Sequence, residues 1–199
     1  MKILGLTGSI GMGKSATAAL FAEEGVLVYD ADAAVHALYE KGGAAVGPVR
    51  EVFPDAIKEG RIDRGRLRDL FLPDPDALSR LNSIVHPLVA QSQIDFRTQA
   101  IESGAALVVL DIPLLFETGG EARVDYVAVV TAPAEVQRAR VLAREGMTEE
   151  AFETILGKQV PDAEKRARAD FVISTAFGFE FSQAHVKAII AVLSNPIED

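Results

Sequence analysis

At 199 residues, 49% of them hydrophobic and 25% charged, the chain suits one α/β domain with an inserted subdomain and is long enough to bury a sizeable core. A formal charge of -9 argues against a general nucleic-acid or anionic-membrane surface, because the mean field repels polyanions; any phosphate ligand must be gathered by local basic groups. With no cysteine there is no disulfide, thiolate metal site or cysteine nucleophile, and the cytoplasm is the expected compartment.

The first expected strand runs from Lys2 to Thr7. It leads into Gly8-Ser9-Ile10-Gly11-Met12-Gly13-Lys14-Ser15, which matches G-x-x-x-x-G-K-[ST] at every fixed position. Glycines let such a loop curl so that its amides point inward, and the following helix adds its positive dipole end to the same anion nest. The loop predicts a nucleoside triphosphate site in which Lys14 reaches the β/γ-phosphates and Ser15 ligates Mg²⁺. Thr17, Leu20 and Phe21 have the spacing of the helix that should follow.

Val26 to Asp30 reads as the second strand, with Asp30 and Asp32 flanking Ala31 at its carboxyl end, where ligands of open α/β sheets gather. One of the pair can orient or deprotonate an acceptor hydroxyl, and Asp32 is the candidate base; the structural alternative is that they cap the next helix. Asp32 to about Gly104 is more chain than a crossover helix needs, with breakers at Gly42-Gly43, Pro48, Pro54, Gly60, Pro73 and Pro75. It reads as a helical insertion (about 32–104) carrying the acceptor site, with Arg64, Arg68 and His86-Pro87 as candidate contacts.

Ala105 to Ile112 is the third expected strand. Asp111 ends it as a Mg²⁺-holding carboxylate would, a strand-end cap being the rival reading. Pro113-Leu114-Leu115-Phe116-Glu117 should then leave in an extended conformation and form a substrate wall, since a residue before proline disfavours the helical region. The apolar stretch from Ala105 to Phe116 is interrupted by Asp111 and Pro113 and falls far short of the ~20 residues a membrane-spanning helix needs.

Val124 to Thr131 is the fourth strand, followed by a helix with Val136, Ala139 and Ala143 at core spacing. Arg138, Arg140 and Arg144 lie along that helix, and Arg140 and Arg144 share a face as a candidate phosphate clamp, although surface arginines commonly only solvate a face. The polar segment at about 144–168 reads as a helical lid, with Thr148 as N-cap and Glu149 and Glu150 in the first turn. Phe171 to Ser174 is a short fifth strand, and Val186, Ile189, Ile190 and Leu193 mark a last helix. Alternating strands and helices imply a doubly wound parallel sheet of about five strands. The core would comprise about 1–31, 105–143 and 169–199. Aromatic residues are not interleaved with basic ones, so no nucleic-acid platform is expected, and nothing indicates an obligate protein partner.

Leu6 to Ser15, Asp30-Ala31-Asp32, His86-Pro87, Pro113 to Glu117, Arg144 to Gln159 and Lys165 to Asp170, in this order, resemble the dephospho-coenzyme A kinase family of P-loop kinases. The resemblance runs nearly end to end. It implies transfer of the γ-phosphoryl of ATP to the 3′-hydroxyl of the ribose of dephospho-CoA, with ATP and Mg²⁺ as the cofactors. It also implies that Gly11, Met12, Gly13, Lys14, Ser15 and Ala16 cradle the ATP phosphates, that Ser15 and Asp111 hold Mg²⁺, and that Asp32 is the base. Asp30, Arg64, Arg68, His86 and Leu115 would lie on the acceptor side, and Arg140 and Arg144 would clamp nucleotide and transition state. The chain departs from the family's usual G-G-I-G-S-G-K-S-T at Ser9, Met12 and Ala16; Met12 is expected to add bulk at the loop tip, weakening the nucleotide grip at most. Another small-molecule or nucleoside monophosphate kinase is the alternative on this scaffold. A non-catalytic nucleotide switch fits less well, since the chain lacks a guanine-specific N-K-x-D motif.

Overall fold

The computed structural model describes residues 1–71, 74 and 76–194; Pro73 and Pro75, read above as breakers, lie outside them. The elements begin with β1 (Lys2–Thr7), α1 (Lys14–Glu23), β2 (Leu27–Asp30), α2 (Ala31–Tyr39), α3 (Val46–Val52), a 3-10 turn at Pro54–Ala56, β3 (Ile57–Lys58), β4 (Arg61–Ile62), α4 (Arg64–Phe71) and α5 (Ala77–Glu102). They continue with β5 (Leu107–Asp111), a 3-10 turn at Gly120–Arg123, β6 (Tyr126–Thr131), α6 (Ala134–Leu142), α7 (Glu149–Leu156), α8 (Asp162–Ala167), β7 (Phe171–Ser174) and α9 (Phe179–Ser194). The chain divides into two compact units, one of residues 1–29 and 100–199, the other of residues 30–99.

In the first unit a five-stranded parallel sheet runs in the order β2-β5-β1-β6-β7. Leu4 of β1 is in register with Val109 of β5 on one side and with Tyr126 of β6 on the other. All five residues of β5 and the last four of β1 are buried, as strands covered on both faces require. Alternation sorts the side chains. Leu4, Leu6, Ala128, Val130 and Ile173 join Leu20 and Phe21 of α1 and Val186, Ile189 and Leu193 of α9, whereas Val127 and Val129 join Leu115 and Phe116. Each large apolar side chain taken fully from water contributes about 1.5–3 kcal/mol. The connection from β1 runs to β2 on one side and the connection from β5 runs past β1 to β6 on the other, so the winding reverses beside β1, where the crevice at the sheet's carboxyl edge opens and the glycine-rich loop emerges.

Two expectations fail here. Residues 113–119 form tight turns, with the N–H of Thr118 donating to the carbonyl of Leu114 (3.2 Å) and that of Gly120 to Leu115 (2.7 Å). Leu115 is fully buried by this coiling and is a core residue rather than a substrate wall. On α6 the buried residues are Gln137 and Val141, while Ala139 and Ala143 are exposed, because the helix turns its 137/141 face to the glycine-rich loop.

The second unit packs helices around Tyr39, Val46, Val49, Phe53, Leu67, Leu81 and Val85. It also contains a hairpin of β3 and β4 that periodicity did not suggest, closed by Glu59 (φ 54°) and Gly60 (φ 82°), the paired positive φ angles of a type I′ turn. Asp63 leads into α4 by accepting the N–H of Arg66 at 3.0 Å, and these bonds hold its carboxyl below the usual range. Among the described residues, no helix is long and apolar enough to cross a membrane.

Candidate active site

The loop between β1 and α1 is built by two glycines with positive φ, Gly11 (77°) and Gly13 (94°). A Cβ on Gly11 would sit 2.5 Å from Val141 Cγ2, and one on Gly13 would meet Thr175 at 3.0 Å, so both the backbone angle and the packing require glycine. Gly13 is the N-cap of α1 and offers no side-chain acceptor, which leaves the first amides of the helix available to an anion. Lys14 Nζ lies 2.5 Å from Asp111 Oδ1, with Asp111 only 3% exposed. β5 thus delivers a carboxylate directly to the loop lysine. Ser15 and Ala16 are exposed in the first turn of α1.

Met12 is not bulk at the tip. Its side chain is 2% exposed, its sulfur accepts the N–H of Ala132 at 3.0 Å, and it anchors the loop to the end of β6. Ser9 is equally buried, and its hydroxyl has no hydrogen-bond partner among the described residues.

Beside the loop, Gly11, Gly13, Ala16, Leu20, Arg140, Arg144, Thr175 and Phe179 line a cleft of about 390 Å³. Arg140 donates to Thr175 Oγ1 (2.8 Å) and to its carbonyl (2.9 Å), and Thr175 Oγ1 donates to the carbonyl of Met12 (2.8 Å). This one hydroxyl therefore joins the arginine to the phosphate loop. The mixture of free amides, guanidinium groups and an apolar wall suits a nucleoside carrying phosphates.

The region expected as a lid consists of α7 and α8. Thr148 caps α7 by accepting the N–H of Ala151 at 3.2 Å, and Arg138 of α6 donates to Glu149 at 2.8 Å, a hydrogen bond and charge pairing that raise the arginine's pKa. Lys165 of α8 is fully buried and 2.8 Å from Glu117 Oε1, which also accepts the N–H of Val160 at 2.8 Å. Burial pushes the Glu117 carboxyl upward, but Lys165 and the backbone donors outweigh it and hold it below the ordinary value. Arg168 stacks its guanidinium 4.3 Å from the centre of the Phe116 ring and pairs with Glu121. The P-L-L-F-E and K-R-A-R-A-D stretches thus meet as a buried brace. Lys165 belongs to the core, although it stands in a run of charged residues of the kind that usually solvates a surface.

In the second unit Asp32, Val35, Tyr39, Arg64, Leu67 and Leu81 line a cleft of about 480 Å³. Asp30 caps α2 by accepting the N–H of Ala33 at 2.9 Å. Asp32, in the first turn, is exposed and makes no hydrogen bond or ion pair among the described residues. Arg64 lies 5.6 Å from the centre of the Tyr39 ring, and burial raises the Tyr39 phenol against the opposing pull of that arginine. Arg68 and His86 are exposed and do not line the cleft. Thr175, which joins Arg140 to the loop, was not among the candidates the sequence offered, and no local pattern marks it.

A parallel sheet with its glycine-rich loop at the switch point, a loop lysine on a strand-end carboxylate and arginines beside the loop define a P-loop kinase. The family model described as dephospho-CoA kinase matches residues 2–178. The dephospho-CoA kinase of Cereibacter sphaeroides is 58% identical over 188 residues, covering 94% of this chain and 93% of its own. A crystal structure from Thermus thermophilus superposes with a TM-score of 0.82 at 36% identity, covering 98% of each chain. The dephospho-CoA kinase structure from Campylobacter jejuni, 22% identical and covering 97% of each chain, shares the fold with a TM-score of 0.67. The chain belongs to the dephospho-CoA kinase family.

Proposed function

We propose that the chain transfers the γ-phosphoryl of ATP to the 3′-hydroxyl of the ribose of dephospho-CoA, giving CoA and ADP, the last step of CoA synthesis. The observation that carries the reading is the Lys14–Asp111 pair at the mouth of α1, in a chain whose family match spans residues 2–178. Phosphoryl transfer depends on positioning and on positive charge aimed at the migrating group. In this reading the amides of Gly11 to Ala16 receive the phosphates, with Asp111 holding the Lys14 ammonium at the loop. Arg140, steadied by Thr175, and Arg144 flank the same cleft as the ATP-side clamp.

Ser15 and Asp111 offer the hard oxygen donors that suit Mg²⁺, an ion that keeps few protein ligands and takes the rest from phosphates and water. When bound, the ion would supply positive charge that offsets the negative charge of the phosphates. On the acceptor side Asp32 takes the proton of the attacking hydroxyl, a role that suits an exposed carboxylate without a competing partner. Arg64 and Tyr39, which share its cleft, bind the acceptor, and Asp30 supports Asp32 by capping the helix that carries it. Arg68 and His86, exposed on the same unit outside that cleft, would meet only parts of the acceptor that extend beyond it.

The test is ADP release with dephospho-CoA set against AMP, CMP and shikimate. Turnover stimulated by dephospho-CoA alone is expected. A preference for AMP or CMP would instead make the chain a nucleoside monophosphate kinase.

A further inference from the structure

The tip of the phosphate loop is a four-residue turn from Ser9 to Met12, closed by the N–H of Met12 on the carbonyl of Ser9 at 3.1 Å. Gly11, its third residue, has φ 77°, the angle of a type II turn at that position. Type I and type II turns differ by a flip of the central peptide, here the Ile10–Gly11 bond. Both polar groups of Ile10 are held by side chains. Gln137 Nε2, on α6, donates to the carbonyl of Ile10 at 2.7 Å, and the N–H of Ile10 donates to Gln159 Oε1, just beyond α7, at 3.0 Å. Gln137 is 4% exposed, a buried amide that uses its donor on this one residue. A trans peptide keeps C=O and N–H antiparallel. Pinning the Ile10 carbonyl towards Gln137 therefore directs the Gly11 N–H the opposite way, and that N–H has no partner among the described residues.

We propose that Gln137 and Gln159 are positioning residues for phosphoryl transfer: together they lock the Ile10–Gly11 peptide so that the Gly11 amide is free to bind the phosphates of ATP. The proposal rests on the reading of this loop as the ATP site. The two glutamines act in opposite senses, one as donor and one as acceptor, and this makes substitutions informative. An ionised glutamate at 137 has no donor and repels the Ile10 carbonyl, whereas a glutamate at 159 still accepts the Ile10 N–H.

The experiment measures Kd for ATP and for adenosine, which lacks the phosphates, with wild type, Gln137→Glu, Gln137→Leu, Gln159→Leu, Gln159→Glu and the Gln137→Leu/Gln159→Leu pair, each checked by circular dichroism. Gln137→Glu and Gln159→Leu should weaken ATP roughly 10-fold while adenosine changes less than about 2-fold. Gln159→Glu should restore most of the loss. The double variant should fall short of the product of two single effects, since both side chains hold one peptide. Equal losses for ATP and adenosine, or no loss of ATP affinity, would overturn the proposal. If Gln137→Glu fails to fold, the two Gln159 variants carry the same comparison. A wild type that binds ATP but does not turn over dephospho-CoA unseats the acceptor assignment alone and leaves these ratios readable.

Discussion

Replacing Glu117 by Gln leaves the Lys165 ammonium fully buried without its counter-charge, since no other acceptor bonds it among the described residues. Breaking a buried pair on one side costs about 3–5 kcal/mol, because an uncompensated charge remains away from water. An unfolding entropy of about 2.1 cal/mol/K per residue gives roughly 0.4 kcal/mol/K for a cooperative transition of this chain, so Tm should fall by about 7–12 °C. Lys165→Met should cost less, because Glu117 keeps the N–H of Val160 and lies at the edge of the core, 12% exposed. Glu117→Leu/Lys165→Met should recover most of the Glu117→Gln loss, as apolar replacements of buried pairs do, short of the bond that the Val160 N–H loses. Thermal melts followed by circular dichroism at pH 7 provide the readout. A drop below about 2 °C for Glu117→Gln, or a larger drop for Lys165→Met, would refute the reasoning. The pH dependence has a definite sign. The carboxyl is depressed in the fold, so its contribution is present above the unfolded value near 4.5 and is lost as pH falls through the folded value. Glu117→Gln should lack that part of the acid slope.

Asp32→Asn should lower kcat by roughly 10²-fold or more, as loss of a general base does, with ATP affinity nearly intact; an unchanged kcat would make Asp32 structural. Thr175→Val removes the hydroxyl linking Arg140 to the loop and should raise KM for ATP roughly 5-fold at near-constant kcat, the effect of one lost hydrogen bond. Met12→Ala should destabilise the fold by about 2–5 kcal/mol in urea unfolding, since it empties a buried site at the end of β6. Amide exchange across α7 should slow when ATP and dephospho-CoA are both bound, and identical rates with and without ligands would exclude a closing lid.

Five parallel strands, the phosphate loop and the family pattern were legible along the chain because each is written locally. Apolar runs mark buried strands, and a glycine-lysine-serine spacing encodes a backbone shape together with the charge it presents. Met12 and Leu115 were misplaced, and the burial of Lys165 went unforeseen, because local pattern carries no information on which surface a side chain meets. Met12 finds the N–H of Ala132, Lys165 finds Glu117, and the coiled turn after Pro113 swallows Leu115. Helix α6 shows the same limit from the other side: an apolar stripe through Val136, Ala139 and Ala143 gave way to Gln137 and Val141, the residues that fit the glycine loop.

The sequence by itself determined the phosphate-loop chemistry, the strand-end carboxylates and the chemical class of the ligand, because these depend on residue types at fixed spacings along one backbone. Only the tertiary structure decided which carboxylate meets Lys14, which hydroxyl steadies Arg140 and which glutamines hold Ile10. Those contacts join residues 35 to 149 positions apart, and partners so distant are selected by packing rather than by any local preference of the chain.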